Sequence, residues 1–205
     1  MGAREELEAV AAEVAVCEDC KLHLSRKNAV AGEGPGDADL MFIGEGPGFH
    51  ENEQGRPFVG AAGRFLEELL EGIGMNREQV FIGNVVKCRP PGNRDPEQQE
   101  IEACSKYLER QIEAIDPKVI ITLGRFSMAR YFPNARISRI HGKPAEIDGR
   151  LIVPMYHPAA ALHQPSLRET VQEDFAKLPA LIEGKAPVQE IEEQGPSDPE
   201  QLSLF

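Results

Sequence analysis

Asp39-Leu40-Met41-Phe42-Ile43-Gly44-Glu45-Gly46-Pro47-Gly48 sets the reading of this chain: a short apolar run passes directly into a loop of glycine and proline. Such a run, stopped by turn residues, is a buried strand delivering its carboxyl end to a tight loop. The pattern recurs downstream at Val80-Phe81-Ile82 to Val86, at Val119 to Leu123 (closed by Gly124) and at Leu151-Ile152-Val153. Helices separate these strands. Ala61 to Ile73 carries Phe65, Leu66, Leu69 and Leu70 on one side and stops at Gly72 and Gly74; Pro96 to Ile115 has proline near its start. Phe126 to Tyr131 and Leu167 to Ile182 follow, and Glu5 to Val14 precedes them all with Leu7, Val10, Ala11 and Val14 at helical spacing. Strands alternating with helices predict a three-layer α/β/α fold around a central, mainly parallel four-stranded sheet. Sites in such sheets form in the loops after the carboxyl ends of strands, here after Ile43, Val86, Leu123 and Val153.

The 205 residues suit one α/β domain, and 41% hydrophobic with 27% charged residues is the balance of a soluble globular chain. The longest apolar runs, such as Val119-Ile120-Ile121, are far too short to cross a bilayer. Met1-Gly2-Ala3-Arg4 leads into acidic residues with no apolar segment behind it, so a cytosolic protein without a secretory signal is expected. A net charge of -12 gives no support to nucleic-acid binding, and even without the acidic residues from Glu183 onward it is about -7. Local basic loops and backbone amides can nevertheless hold phosphates. The organisation expected is a domain over 1–183 and a disordered, Glu/Pro/Gln-rich tail over 184–205.

All four cysteines fall into one pattern, Cys17-x2-Cys20, then Cys88, then Cys104. A cytosolic chain does not rely on structural disulfides, so a thiolate metal site is the natural reading, zinc or iron–sulfur. His23 is an alternative ligand, and four unrelated reduced cysteines are the competing explanation. The missing second CxxC lowers the odds of a zinc ribbon, and Lys21, Lys87 and Arg89 would offset the charge of an anionic site.

The loop Gly44-Glu45-Gly46-Pro47-Gly48 is neither a Walker loop nor a dinucleotide fingerprint. It allows close backbone approach to a ligand and places a carboxylate, Glu45, at a strand end. Glu51 and Gly55-Arg56-Pro57-Phe58-Val59-Gly60 follow, in which Phe58 is either a stacking platform or a core ring. Asn84 is the polar residue of an otherwise apolar strand, able to read a base edge or to serve as a satisfied structural amide. His157, in Tyr156-His157-Pro158, is a candidate electrophile or acid at a strand end, and Arg89-Pro90-Pro91-Gly92-Asn93-Arg94 is a rigid basic loop suited to phosphate.

Taken in order and spacing, these elements, with His157-Pro158-Ala159, resemble the family 4 uracil-DNA glycosylases, the iron–sulfur branch of that superfamily, from about Cys17 to Leu181. The resemblance implies a uracil-DNA glycosylase-like fold and a [4Fe-4S] cluster of structural role on Cys17, Cys20, Cys88 and Cys104. It implies a base-excision-repair enzyme acting on single- or double-stranded uracil-containing DNA. The uracil is flipped into a pocket, where Phe58 stacks on it and Asn84 bonds its polar edge. His157 donates to the oxygen that gains charge, and Glu45 stabilises the oxocarbenium-like sugar or positions water. Glu51 takes the place beside C5 that excludes the thymine methyl. In a better-known branch a Tyr does so from the position of Gly48, and an Asp base stands at the position of Gly46. No His lies between Cys88 and Cys104 to trap the base, so turnover is expected. Arg89 and Arg94 contact DNA, and Ala161 or Leu162 is the wedge into the base stack, Leu162 being preferred for its size.

Gln201-Leu202-Ser203-Leu204-Phe205 resembles the pentapeptide that docks on the bacterial DNA sliding clamp, with Gln201, Leu202, Leu204 and Phe205 as contacts. The motif suggests a bacterial source; a nucleoid-associated monomer with no membrane partner is expected. Two other classes compete: a non-catalytic uracil- or DNA-binding repair protein tethered to the clamp, and a small iron–sulfur electron carrier. No flavin or nicotinamide motif supports the second.

Overall fold

The computed structural model describes residues 2–185. Most of the expected tail, including Gln201, Leu202, Leu204 and Phe205, lies outside the described residues. In chain order the elements are α1 (Ala3–Val16), β1 (Leu40–Gly44), α2 (Phe49–Gln54), α3 (Ala61–Gly72), β2 (Phe81–Asn84), α4 (Gln98–Ile115), β3 (Val119–Leu123), α5 (Arg125–Ala129) and α6 (Ile137–Ile140). They continue with β4 (Ala145–Ile147), β5 (Arg150–Met155), α7 (Pro158–His163), α8 (Leu167–Phe175) and α9 (Leu178–Ile182).

The strands are apolar throughout because both faces of the sheet are covered. In β1, Met41 and Ile43 pack into the core on the side of α1 and α4, while Leu40 and Phe42 pack into the core under α3, α8 and α9. Neighbouring strands divide in the same way, with Ile120 and Ile152 on the first side and Ile121 and Val153 on the second. Side chains that alternate between two buried layers leave no polar face, which is why the sequence shows continuous runs rather than alternation.

The sheet has five strands in the order β2-β1-β3-β5-β4, and the first four are mutually parallel. The fifth, β4, pairs antiparallel with β5. The mainly parallel α/β architecture is as expected; the count of four strands misses β4. Its three residues are too short to show a pattern, but Asp148-Gly149 between β4 and β5 is a hairpin signal. The helix expected over 167–182 is in fact α8 and α9, broken beside Pro179, which cannot continue the ladder of the preceding turn. The strand expected to reach Val86 ends at Asn84, although Val85 and Val86 still donate to the carbonyls of Gly44 (3.0 Å) and Glu45 (3.1 Å).

From β1 the chain moves outward to β2, then crosses back through α4 to β3 on the other flank of β1. This reversal opens a crevice at the carboxyl ends of β1 and β3. Parallel pairing sets Gly44 level with Asn84 and Leu123 level with Met155, so the four following loops emerge on one edge.

Candidate active site

The strand-end loops surround a cleft of about 1770 Å³, its open mouth included, whose walls contain Glu45, Gly46, Glu51, Phe58, Asn84 and His157. Residues as far apart in sequence as Glu45 and His157 thus meet in one place. Each is held by an identifiable local device.

Phe58 is buried and adopts a left-handed backbone (φ 50°), uncommon for a bulky residue. Two features over-determine this conformation. Gly63 of α3 lies so close that a Cβ there would sit 1.8 Å from the Phe58 carbonyl oxygen. The buried Arg77 guanidinium donates to that same oxygen (3.0 Å) and to the Pro57 carbonyl, while pairing with Glu33 (3.3 Å) and Glu67 (3.4 Å). The ring thereby faces His157, centroids 5.5 Å apart and planes 26° from parallel. A Cβ on Gly44 would come within 2.5 Å of Asn84 Oδ1 and 2.8 Å of the Phe58 ring, so glycine at the end of β1 lets these two side chains share the floor of the cleft. Asn84 is almost fully buried, and its amide makes no hydrogen bond to a described residue.

Glu51 has its carboxylate committed. Oε1 accepts from the Val59 and Gly60 amides (2.9 and 3.0 Å) and Oε2 from Gly48 (3.1 Å), fastening the glycine loop to the Phe58 loop. α2, absent from the sequence expectation, exists to make this link: Gly48 is its N-cap, and Glu51 closes the first turn.

His157 caps α7, its Nδ1 accepting from the Ala159 amide at 3.1 Å. With Nδ1 an acceptor, the neutral ring carries its proton on Nε2. Burial lowers the imidazole pKa to about 4, against an opposing pull from Glu51, so the ring is neutral at pH 7. Glu45 shows the converse. Burial foremost, then the negative charge of Asp95, pushes its carboxyl up to about 7, against the pull of Arg125. Asp95 and Arg125 form an ion pair in the cleft wall.

Of the residues expected on DNA, Arg94 lines the cleft but is clasped by Glu100 through two bonds (2.8 and 2.7 Å), with Glu100 itself buried. Arg89 donates from Nε to Asn93 (2.7 Å) and lies over the Phe49 ring at 5.3 Å. Leu162 stands exposed on α7, between cleft-lining Ala160 and His163.

A second cavity, on the α1 and α4 side, is walled by all four cysteines with Leu22, Lys87 and Tyr107. The cysteines are free thiols. Among the described residues no three His, Cys, Asp or Glu side chains converge tightly enough to hold a single metal ion. Burial raises the Cys20 and Cys88 thiols, and Cys104 to about 11. The Lys87 amide donates to Cys104 Sγ (3.3 Å) and Arg26 to Cys88 Sγ (3.5 Å). Lys87 itself is buried, and its ammonium meets only neutral acceptors, the Asn84 carbonyl (3.0 Å) and Gln111 Oε1 (2.6 Å). His23 turns Nδ1 to the Cys20 carbonyl at 2.7 Å.

Comparison with known proteins meets this geometry from the other side. Residues 31–179 match the Uracil DNA glycosylase superfamily. The chain belongs to that superfamily. Among its relatives are type-4 uracil-DNA glycosylases of Sulfurisphaera tokodaii, 50% identical and covering 86% of this chain and 85% of that protein, and of Saccharolobus solfataricus, 50% identical over 88% of each. That of Thermotoga maritima is 45% identical over 89% of this chain and 98% of its own.

In this superfamily member the sequence did not point to Arg77, Glu33, Asp95, Arg125 or Arg26. Each acts across a sequence separation that no local motif records. The isolated Arg77, placed before an apolar strand, was the one available hint.

The two opposed titrations have consequences for stability. A carboxyl whose folded value is raised from 4.5 to about 7 contributes stability below 4.5 that is lost as pH rises through 7. His157, lowered from 6.5 to about 4, contributes stability above 6.5 that is lost as pH falls toward 4. Glu45→Gln is therefore expected to gain about 1–3 kcal/mol on the wild type between pH 4.5 and 8, read by denaturant unfolding across that range. A constant difference would show that Glu45 is not a buried, destabilised carboxylate.

Proposed function

We infer that this chain is a uracil-DNA glycosylase of DNA repair: it takes uracil out of DNA and hydrolyses the N-glycosidic bond, leaving an abasic site. The observation that carries this reading is the convergence of Glu45, Phe58, Asn84 and His157 in one cleft of a chain matching the superfamily over residues 31–179.

A flipped uracil lies against the Phe58 ring, which is fixed before the base arrives, so little ordering remains for the binding step. The Asn84 amide, without a protein partner, supplies a donor and an acceptor to the polar edge of the base. As the glycosidic bond breaks, negative charge grows on the uracil oxygens. His157, neutral and with its proton on Nε2, donates there; a neutral donor strengthens its bond as charge develops and takes no proton from solvent. Glu45 stands on the sugar side, where its carboxylate stabilises the oxocarbenium-like sugar or orients the attacking water; a value near 7 keeps both protonation states within reach. Glu51 acts beside C5 through the loops it fastens, holding Gly48 to Gly60 in the wall that excludes the thymine methyl. Leu162 enters the space the base leaves and Arg89 meets the backbone, while the guanidinium of Arg94, spent on Glu100, has less to give a phosphate.

The same reading assigns a [4Fe-4S] cluster to Cys17, Cys20, Cys88 and Cys104, which line the second cavity. The four thiols line one cavity, and four thiolates are the ligand set that such a cluster takes. A buried ammonium facing only neutral oxygens supports an anionic neighbour, and thiolates ligating iron supply it. When bound, the cluster would cross-link α1, the loop at Cys88 and α4; the chemistry of the cleft needs no electron from it. The remaining proposals are a monomer working in the cytoplasm and tethered to the sliding clamp through Gln201–Phe205. The tether would be lost on deleting residues 201–205, as binding to isolated clamp would measure.

On a labelled duplex with one U opposite G, abasic-site formation is expected, with none on the T control. His157→Ala should slow single-turnover excision by about 10²–10³-fold. Equal cleavage of U and T would overturn the assignment, and full activity without His157 would remove its role as the electrophile. Protein isolated without oxygen should carry four iron and four sulfide per chain, and Cys104→Ala should lose them; full iron in that variant would remove Cys104 from the ligand set.

A further inference from the structure

Large apolar side chains left exposed among the described residues are few, namely Val16, Leu24, Phe49 and Leu162, and the last two flank the cleft. Leu162 is on the α7 wall. Phe49 is in the first turn of α2, next to Gly48 of the cleft lining, and is 52% exposed. Half of the ring stays in water, so one face is open to a ligand.

Phe49 is also held in place. The Arg89 guanidinium covers it at 5.3 Å from the ring centroid, and the His50 ring meets it edge-on at 5.5 Å. Arg89 belongs to the loop that sends Pro90, Asn93 and Arg94 into the cleft wall, so the Phe49–Arg89 pair sits where two cleft-lining loops meet at the rim. Arg89 spends only Nε on a protein acceptor, Asn93 (2.7 Å). Its terminal Nη groups make no hydrogen bond to a described residue. The pair thus offers an aromatic face beside a cation with free donors, the chemistry that takes a nucleobase by stacking and the adjoining phosphate by charge.

We propose that Phe49, backed by Arg89, is a second base-contact site outside the uracil pocket, stacking on a nucleobase unstacked when the uracil leaves the helix. The proposal rests on the glycosylase reading above. Two bases have this chemistry, the partner opposite the vacated position and the neighbour on the same strand. Flipping exposes a face of each.

The test uses the full-length protein and duplexes carrying a stable tetrahydrofuran abasic site. The fluorescent base 2-aminopurine is placed opposite that site in one duplex and beside it in the other. Wild-type protein is expected to alter the fluorescence in one duplex, which identifies the base. Phe49→Ala should remove that change and weaken duplex affinity roughly 10-fold, whereas Phe49→Trp should retain both. Arg89→Gln should lower the salt slope of binding by about one ion. Phe49→Ala with unchanged fluorescence and affinity overturns the proposal. So does weakened affinity with the stacking signal intact, which would make Phe49 a support for Arg89 only. Failure of the wild type to excise uracil would strike the glycosylase reading instead, and is seen separately in the cleavage assay.

Discussion

Parallel pairing of β1 with β2 on one side and β3 on the other is the constraint on which the rest depends. It sets Gly44 beside Asn84 and, through β3 and β5, brings the loop at His157 to the same edge. A one-residue slip in any of these ladders would turn each side chain to the opposite layer. Because one layer of core covers each face, the register is enforced by burial along every strand. The cleft inherits its precision from the sheet, while its chemistry comes from loops that the sheet merely delivers.

Those loops are stiff for reasons of hydrogen bonding rather than packing alone. Arg77 and Gly63 hold Phe58 in its left-handed conformation, and Glu51 ties the glycine loop to the same segment with three amide bonds. Strain of this kind persists only where the surroundings over-determine it. Here it fixes an aromatic face in the cleft wall.

Electrostatically the cleft keeps two ionisable groups near neutrality in opposite senses. His157 loses its charge to desolvation, and Glu45, partly buried and near Asp95, holds its proton up to about 7. The same low-dielectric setting strengthens any hydrogen bond made to charge that appears during reaction. On the far side of the sheet Lys87 connects two regions. Its amide touches Cys104 Sγ and its ammonium the Asn84 carbonyl, so the thiol cavity and the strand that ends at Asn84 share one buried residue.

The sequence by itself determined the α/β class, the four parallel strands and most helix positions, because apolar runs and Gly/Pro stops are local signals of burial and turning. It also supplied Glu45, Phe58, Asn84, His157 and the four cysteines, through motifs whose residue types stand close together in the chain. The short edge strand β4 and the break at Pro179 escaped it, the first for lack of length and the second because a helical pattern can continue across an interruption. Only the tertiary structure decided that Glu51 spends its carboxylate on three backbone amides, that Arg94 is clasped by Glu100, and that Arg77 anchors Phe58. Those choices depend on which donor meets which acceptor after distant segments pack, and one-dimensional spacing carries no record of that encounter.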